Sequence, residues 1–135
     1  MATLSDAAKN AALDALATLL DAGSTFDRCS IQILTAGVTP LLFNFLASSS
    51  PTFNAASGGT MSVRTLPRNW TDPATDATNT GVAAGYFLFD GNGVPQIFNF
   101  TGVGLSGSGA EIEMDNTNVR VGQGFIVDSF ELFIP

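Results

Sequence analysis

Glu111 and Glu113 stand two residues apart in Ala110-Glu-Ile-Glu-Met114, a spacing that puts both carboxylates on one side of a strand. Paired carboxylates can carry acid–base chemistry when their environments differ. The simpler expectation is a solvated strand face, with Ala110, Ile112 and Met114 turned inward. Gly102-Val-Gly-Leu-Ser-Gly107 spells GxGxxG, whose glycines cradle a pyrophosphate when a strand precedes and a helix follows. Here the continuation reads as strand, so a flexible inter-strand loop is expected and no nucleotide site. Asp90-Gly-Asn-Gly93 places oxygen donors at alternate positions, as a calcium loop does at its start. Val94 and Pro95 then stand where further oxygens are needed, and no glutamate follows at the proper distance, so no metal ligand is assigned.

Cys29 alternates with Ile31 and Ile33 and is expected to be a buried thiol; as the single cysteine it cannot form an internal disulfide. Histidine is absent, which removes the usual general base near neutral pH and the commonest transition-metal ligand. No catalytic residue, cofactor or metal is therefore expected. Asn69-Trp70-Thr71 and Asn99-Phe100-Thr101 match the glycosylation acceptor pattern, and both are read as accidental. Trp70 and Tyr86 are the two aromatic residues suited to stacking on a sugar ring.

These residues need elements to hold them. At 135 residues the chain fits one domain, 1–135. Residues 5–22 are rich in Ala and Leu, with Ser5 or Asp6 to cap the first turn and Gly23 to end the last, which predicts one N-terminal amphipathic helix. Leu13, Leu16 and Leu20 mark its apolar face, widened by Ala12 and Leu19, while Lys9, Asn10, Asp14 and Asp21 mark a wetter side. The three leucines are the candidate interface residues, whether against this chain's own sheet or a neighbour's surface.

From residue 26 to 135 the composition turns to Phe, Val, Ile, Thr and Gly. Runs at 28–34, 41–46, 60–66, 82–89, 96–100, 110–114, 119–121 and 125–134 predict about eight strands, with a hairpin at Asp90–Gly93. Residues 67–80 read as a long surface loop anchored by Trp70. The fold class expected is mainly β, an antiparallel β-sandwich or jelly roll preceded by one helix. The closing run, apolar at Phe125, Ile126, Val127, Phe130, Leu132, Phe133 and Ile134, suggests a strand covered on both faces, with the helix as one cover.

Charge narrows the partners. Five Lys and Arg against twelve Asp and Glu give a net charge of −7, which repels phosphate backbones and anionic lipid, so neither nucleic acid nor membrane is expected. The opening residues carry no basic and apolar leader pattern, so synthesis in a cytoplasm is the expectation. Only 13% of residues are charged, mean hydropathy is +0.28, and eleven phenylalanines exceed what a small sandwich core encloses. Some of these rings should lie at a subunit interface, and a homotrimer is expected.

Leu4-Ser-Asp-Ala-Ala, Ala12-Leu-Asp-Ala-Leu16 and Leu20-Asp-Ala-Gly23 resemble the opening of small virion structural proteins of tailed bacteriophages. Phe53-Asn-Ala-Ala-Ser-Gly-Gly59, Phe87-Leu-Phe-Asp-Gly91, Ala110-Glu-Ile-Glu-Met-Asp115 and the segment from Val121-Gly-Gln-Gly124 to Ile134 are similar in kind and order. Such proteins commonly carry Tyr-Thr-Gly in the first strand after the helix, where this chain has Ile33-Leu-Thr-Ala-Gly37 with one residue more, which a local bulge or a divergent branch would account for.

The resemblance implies a non-enzymatic virion component made in the host bacterial cytoplasm. Foremost is a capsid decoration or cement protein that binds the major capsid protein and stabilises the assembled head. A neck, tail or fibre-associated protein is the alternative within virions. A carbohydrate-binding β-sandwich module, using Trp70 and Tyr86, is the alternative of a different class, and an enzyme is the weakest reading.

Overall fold

The alanine- and leucine-rich opening forms helix α1 (Asp6–Asp21). Ser5 caps it as predicted: its backbone is extended and its hydroxyl accepts the Ala8 N–H at 3.2 Å. The helix stops at Ala22, whose own N–H returns to the Leu19 carbonyl. This computed structural model describes residues 2–26, 28–47, 49–64, 68–70, 79–122 and 125–135, with backbone alone for 68–70, 125 and 126.

Strands follow, so the chain is mainly β with one N-terminal helix. A four-stranded antiparallel sheet has the order β2 (Pro40–Phe45), β1 (Ser30–Leu34), β6 (Gly85–Phe89), β7 (Pro95–Asn99). A second sheet centres on β11 (Phe125–Phe133), which pairs with β3 (Thr60–Ser62) and β4 (Arg68–Trp70) and with β9 (Ile112–Met114). Beyond β9 lies β8 (Val103–Leu105), in parallel. A two-stranded ribbon joins β5 (Gly81–Val82) to β10 (Asn118–Val119).

The strands outnumber the eight expected because one long run is divided and two strands lie in segments expected to be loops. Residues 82–89 divide into β5 and β6, which pair with different partners. The GxGxxG segment is not wholly loop, since β8 lies inside it. No helix follows it, and Gly102 serves packing: a Cβ there would stand 2.7 Å from the Tyr86 ring. Of the expected loop at 67–80, Arg68–Trp70 is strand; residues 71–78 and the Trp70 side chain lie outside the described residues.

One apolar cluster joins Leu13 and Leu20 of α1 to Ile31 and Ile33 of β1, Tyr86 and Leu88 of β6, Ile112 and Met114 of β9, and Phe130 and Leu132 of β11. Edge-to-face contacts of Phe130 with Tyr86 at 5.3 Å and with Phe53 at 6.3 Å lie within it. The described part of β11 is not covered on both faces as expected, because Phe133 is 57% exposed. A register shift between Val127 and Ser129 leaves Asp128 as the extra residue, so Val127 and Phe130, three apart, are both buried. Register also shifts at Ile33/Leu34, a local irregularity within Ile33-Leu-Thr-Ala-Gly37. The turn that follows holds Val38 at φ +67°, an uncommon conformation for a β-branched residue.

The helix is attached by its buried leucines and also by the side expected to be wet. Asn10 accepts the Gly59 N–H at 2.9 Å and Asp14 the Ala56 N–H at 2.8 Å. Asp21 accepts the Thr52 N–H at 2.9 Å, the Thr52 hydroxyl at 2.5 Å and the Cys29 N–H at 3.2 Å. These three side chains satisfy backbone donors of the segment before β3 that no strand reaches. Ala12 and Leu19, expected to widen the apolar face, are exposed.

Beyond the helix, the chain runs against the β6–β7 hairpin. A Cβ on Gly23 would lie 2.1 Å from the Gly91 carbonyl carbon, so two backbones touch there and only glycine fits. The Phe26 N–H donates to Gly91 O at 2.7 Å and the Ser24 N–H to Asn92 Oδ1 at 3.0 Å.

Candidate functional site

The carboxylates singled out in the sequence each have local hydrogen-bond partners. Glu113 accepts the Gly109 N–H at 3.0 Å and the Ser129 hydroxyl at 3.3 Å, and these bonds, the backbone one foremost, hold its carboxyl below the ordinary range. Glu111 instead accepts from the Asn99 amide. The two glutamates are thus engaged by different elements rather than lying free on a solvated face. Asp90 accepts the N–H groups of Asn92 and Val94 and the Gln96 amide. The Val94 bond chiefly keeps its carboxyl ionised, and the same contacts occupy the oxygens a calcium ion would need. Among the described residues no cluster of three or more metal-ligating side chains occurs.

The Cys29 thiol is fully buried. Burial first, then the Asp21 and Asp90 carboxylates, push its ionisation well above the ordinary value of 9.0, which suits an inert structural thiol. Tyr86 is fully buried too, so its ring is not available to stack on a sugar. Leu13 and Leu20 belong to the core of their own chain, and Leu16 is half-buried against it.

What the structure does assemble is a face of aromatic rings. On the four-stranded sheet, Ser30 pairs with Phe45 and Phe89, and Gln32 pairs with Phe43 and Phe87. Phe87 in turn pairs with Phe98. Because side chains alternate, Ile31, Ile33 and Leu88 go to the core while these residues go to the opposite side. Phe26 joins from the loop before β1 and Phe100 from the end of β7.

Seven rings form one continuous network. Phe26 contacts Phe43 and Phe45 at 6.3 and 5.6 Å, Phe43 contacts Phe89 at 6.1 Å, and Phe89 contacts Phe87 at 6.2 Å. Phe87 reaches Phe98 and Phe100, which stack at 5.7 Å. The Arg28 guanidinium lies 4.2 Å from the centre of the Phe45 ring. Exposure rises toward the free edge strand β7, to 64% at Phe98 and 42% at Phe100.

Most of this chain's phenylalanines therefore lie outside the core, as their number suggested. The four strands, SIQIL, PLLFNF, GYFLF and PQIFN, contain no charged residue, although the chain carries −7. The rings thus form a contiguous apolar patch whose one nearby charge is the Arg28 guanidinium over Phe45. The sequence signal was the pairing of phenylalanines two apart in β2 and β6, a pattern that marks a shared face without saying which face is inside. No protein-family model matches the chain, and neither curated proteins nor solved structures yielded a match.

Proposed function

We propose that this chain is a non-enzymatic virion structural protein of a tailed bacteriophage, a decoration or cement protein that binds and stabilises the assembled head. The aromatic sheet face carries this reading. On this reading the two larger sheets are the layers of a sandwich, joined through contacts such as Tyr86 to Phe130. Three copies bring their β7 edges and aromatic faces together about one axis, and the trimer engages repeated sites on the major capsid protein.

The energetics suit assembly on a repeating shell. Phe98 and Phe100 together expose about one whole phenylalanine surface, ~200 Å², worth roughly 5 kcal/mol when covered. Association costs on the order of 4–15 kcal/mol in lost freedom, so single contacts are weak and multivalency supplies the hold. The lack of charge on these strands lets acidic copies approach each other by their least repulsive surface.

Light scattering tests the trimer, which should run near three times 14.0 kDa. Phe98→Asp puts a charge on an exposed position, so it should keep the wild-type circular dichroism, run as a monomer and fail to sediment with heads. Co-sedimentation with isolated tails rather than heads would replace the decoration role by a tail-associated one. A wild-type monomer whose Phe98→Asp variant still binds heads would refute the proposed face.

A further inference from the structure

A cleft of about 290 Å³ lies where α1, β7 and the end of β11 meet, open to solvent and backed by core residues. Its walls are apolar, with Leu13 and Leu16 from the helix, Ile97 from β7 and Leu132 from β11. Its polar end is made by Glu111, Asn99 and Tyr86, and no cationic side chain lines it. The Tyr86 hydroxyl is buried, with no surface of its own in the cleft, and faces the Glu111 carboxylate. The neighbouring Glu111 carboxylate adds to burial in holding its proton on.

We propose that this cleft receives a lysine side chain from a partner protein. A purely apolar occupant would strip water from Glu111 and give its carboxylate nothing in return. An occupant with an apolar stem and a cationic tip satisfies both ends, and the chain's charge of −7 draws such a group in. The choice between the two long cations follows from Glu111. Asn99 Nδ2 already donates to Glu111 Oε1, so the carboxylate cannot offer both oxygens freely to a planar guanidinium. A lysine ammonium, a point charge with three donors, needs only the remaining oxygen. Phe98 lines the cleft rim and belongs to the aromatic face, so a protein lying on that face reaches the cleft directly. Only the source of the lysine rests on the proposed docking role; the pocket's chemistry stands apart from it.

The experiment titrates the full chain with N-acetyl-lysine-methylamide and follows the methyl NMR signals of Leu13, Leu16, Ile97 and Leu132. A saturable shift confined to these methyls is expected, with a Kd on the order of 1 mM. The norleucine analogue, which has the stem without the charge, should bind about ten-fold more weakly, as befits loss of a charged hydrogen bond. Glu111→Gln should abolish that difference while norleucine still binds, which shows the cleft intact. The comparison of probes on wild-type protein holds whether or not the variant folds. Equal binding of the two probes, tighter binding of the arginine analogue, or no saturable shift overturns the proposal. Failure of the trimer in light scattering would leave these shifts unchanged, so the two readings fail separately.

Discussion

Asp21→Ala should cost about 3 kcal/mol of stability, far more than its place on the helix suggests. One carboxylate there accepts two backbone N–H groups and a hydroxyl, from Cys29 and Thr52, and Thr52 is fully buried. A stranded buried donor costs ~1–3 kcal/mol, and two amides lose their partner while the hydroxyl can rotate. Asp14→Ala removes a single bond at an exposed site and should cost only about 1 kcal/mol. Asp21→Asn keeps one acceptor and should fall between the two. Urea denaturation monitored by circular dichroism gives the comparison, read from the midpoint at unchanged slope. On heating, the Asp21→Ala loss corresponds to a Tm lower by roughly 10 °C. If Asp21→Ala and Asp14→Ala lie within about 0.5 kcal/mol of each other, Asp21 is not the clamp between the helix and the segment before β3.

Three further outcomes follow from the same geometry. Val38→Gly relieves a positive φ at an exposed turn and should raise stability by about 1 kcal/mol, measured by urea midpoint. Gly23→Ala should lower it by at least ~3 kcal/mol, because the new methyl meets the Gly91 backbone, which cannot move aside without opening the hairpin. Stability should fall at both ends of the pH scale. Asp90 and Glu113 have lowered pKa values, so their contribution is present above about pH 4 and is lost as pH falls through their folded values. Cys29 and Tyr86 have raised pKa values, so stability declines once the unfolded thiol and phenol ionise, from about pH 9 upward. A chemical-denaturation series across pH that stays flat above pH 9 would contradict the burial of these two groups.

Local chemistry was enough for the parts of the fold that local chemistry builds. Ser5 before an Ala/Leu run specifies a helix start whatever surrounds it, since the cap satisfies a donor of the helix's own first turn. Asp90-Gly-Asn-Gly closes a hairpin through its own Asx contacts and the positive φ of Gly93. The alternation around Cys29 marked the thiol as buried because Ile31 and Ile33 share its side. Tertiary structure decided everything that depends on a partner distant in sequence. Asn10, Asp14 and Asp21 look like a wet helix face until the segment at 52–59 brings unpaired N–H groups to them.

Tyr86 could have been a surface ring, and Phe87 a core one. An alternating strand offers two faces of similar apolarity, and the register with Ile31 and Ile33 settles which turns inward. That single choice sends Tyr86 and Leu88 to the core and Phe87 and Phe89 outward, joining seven rings from separate segments into the face on which the proposed function rests. Strand alternation is a property of each segment alone, whereas the inside of the protein is defined only once the strands have found each other.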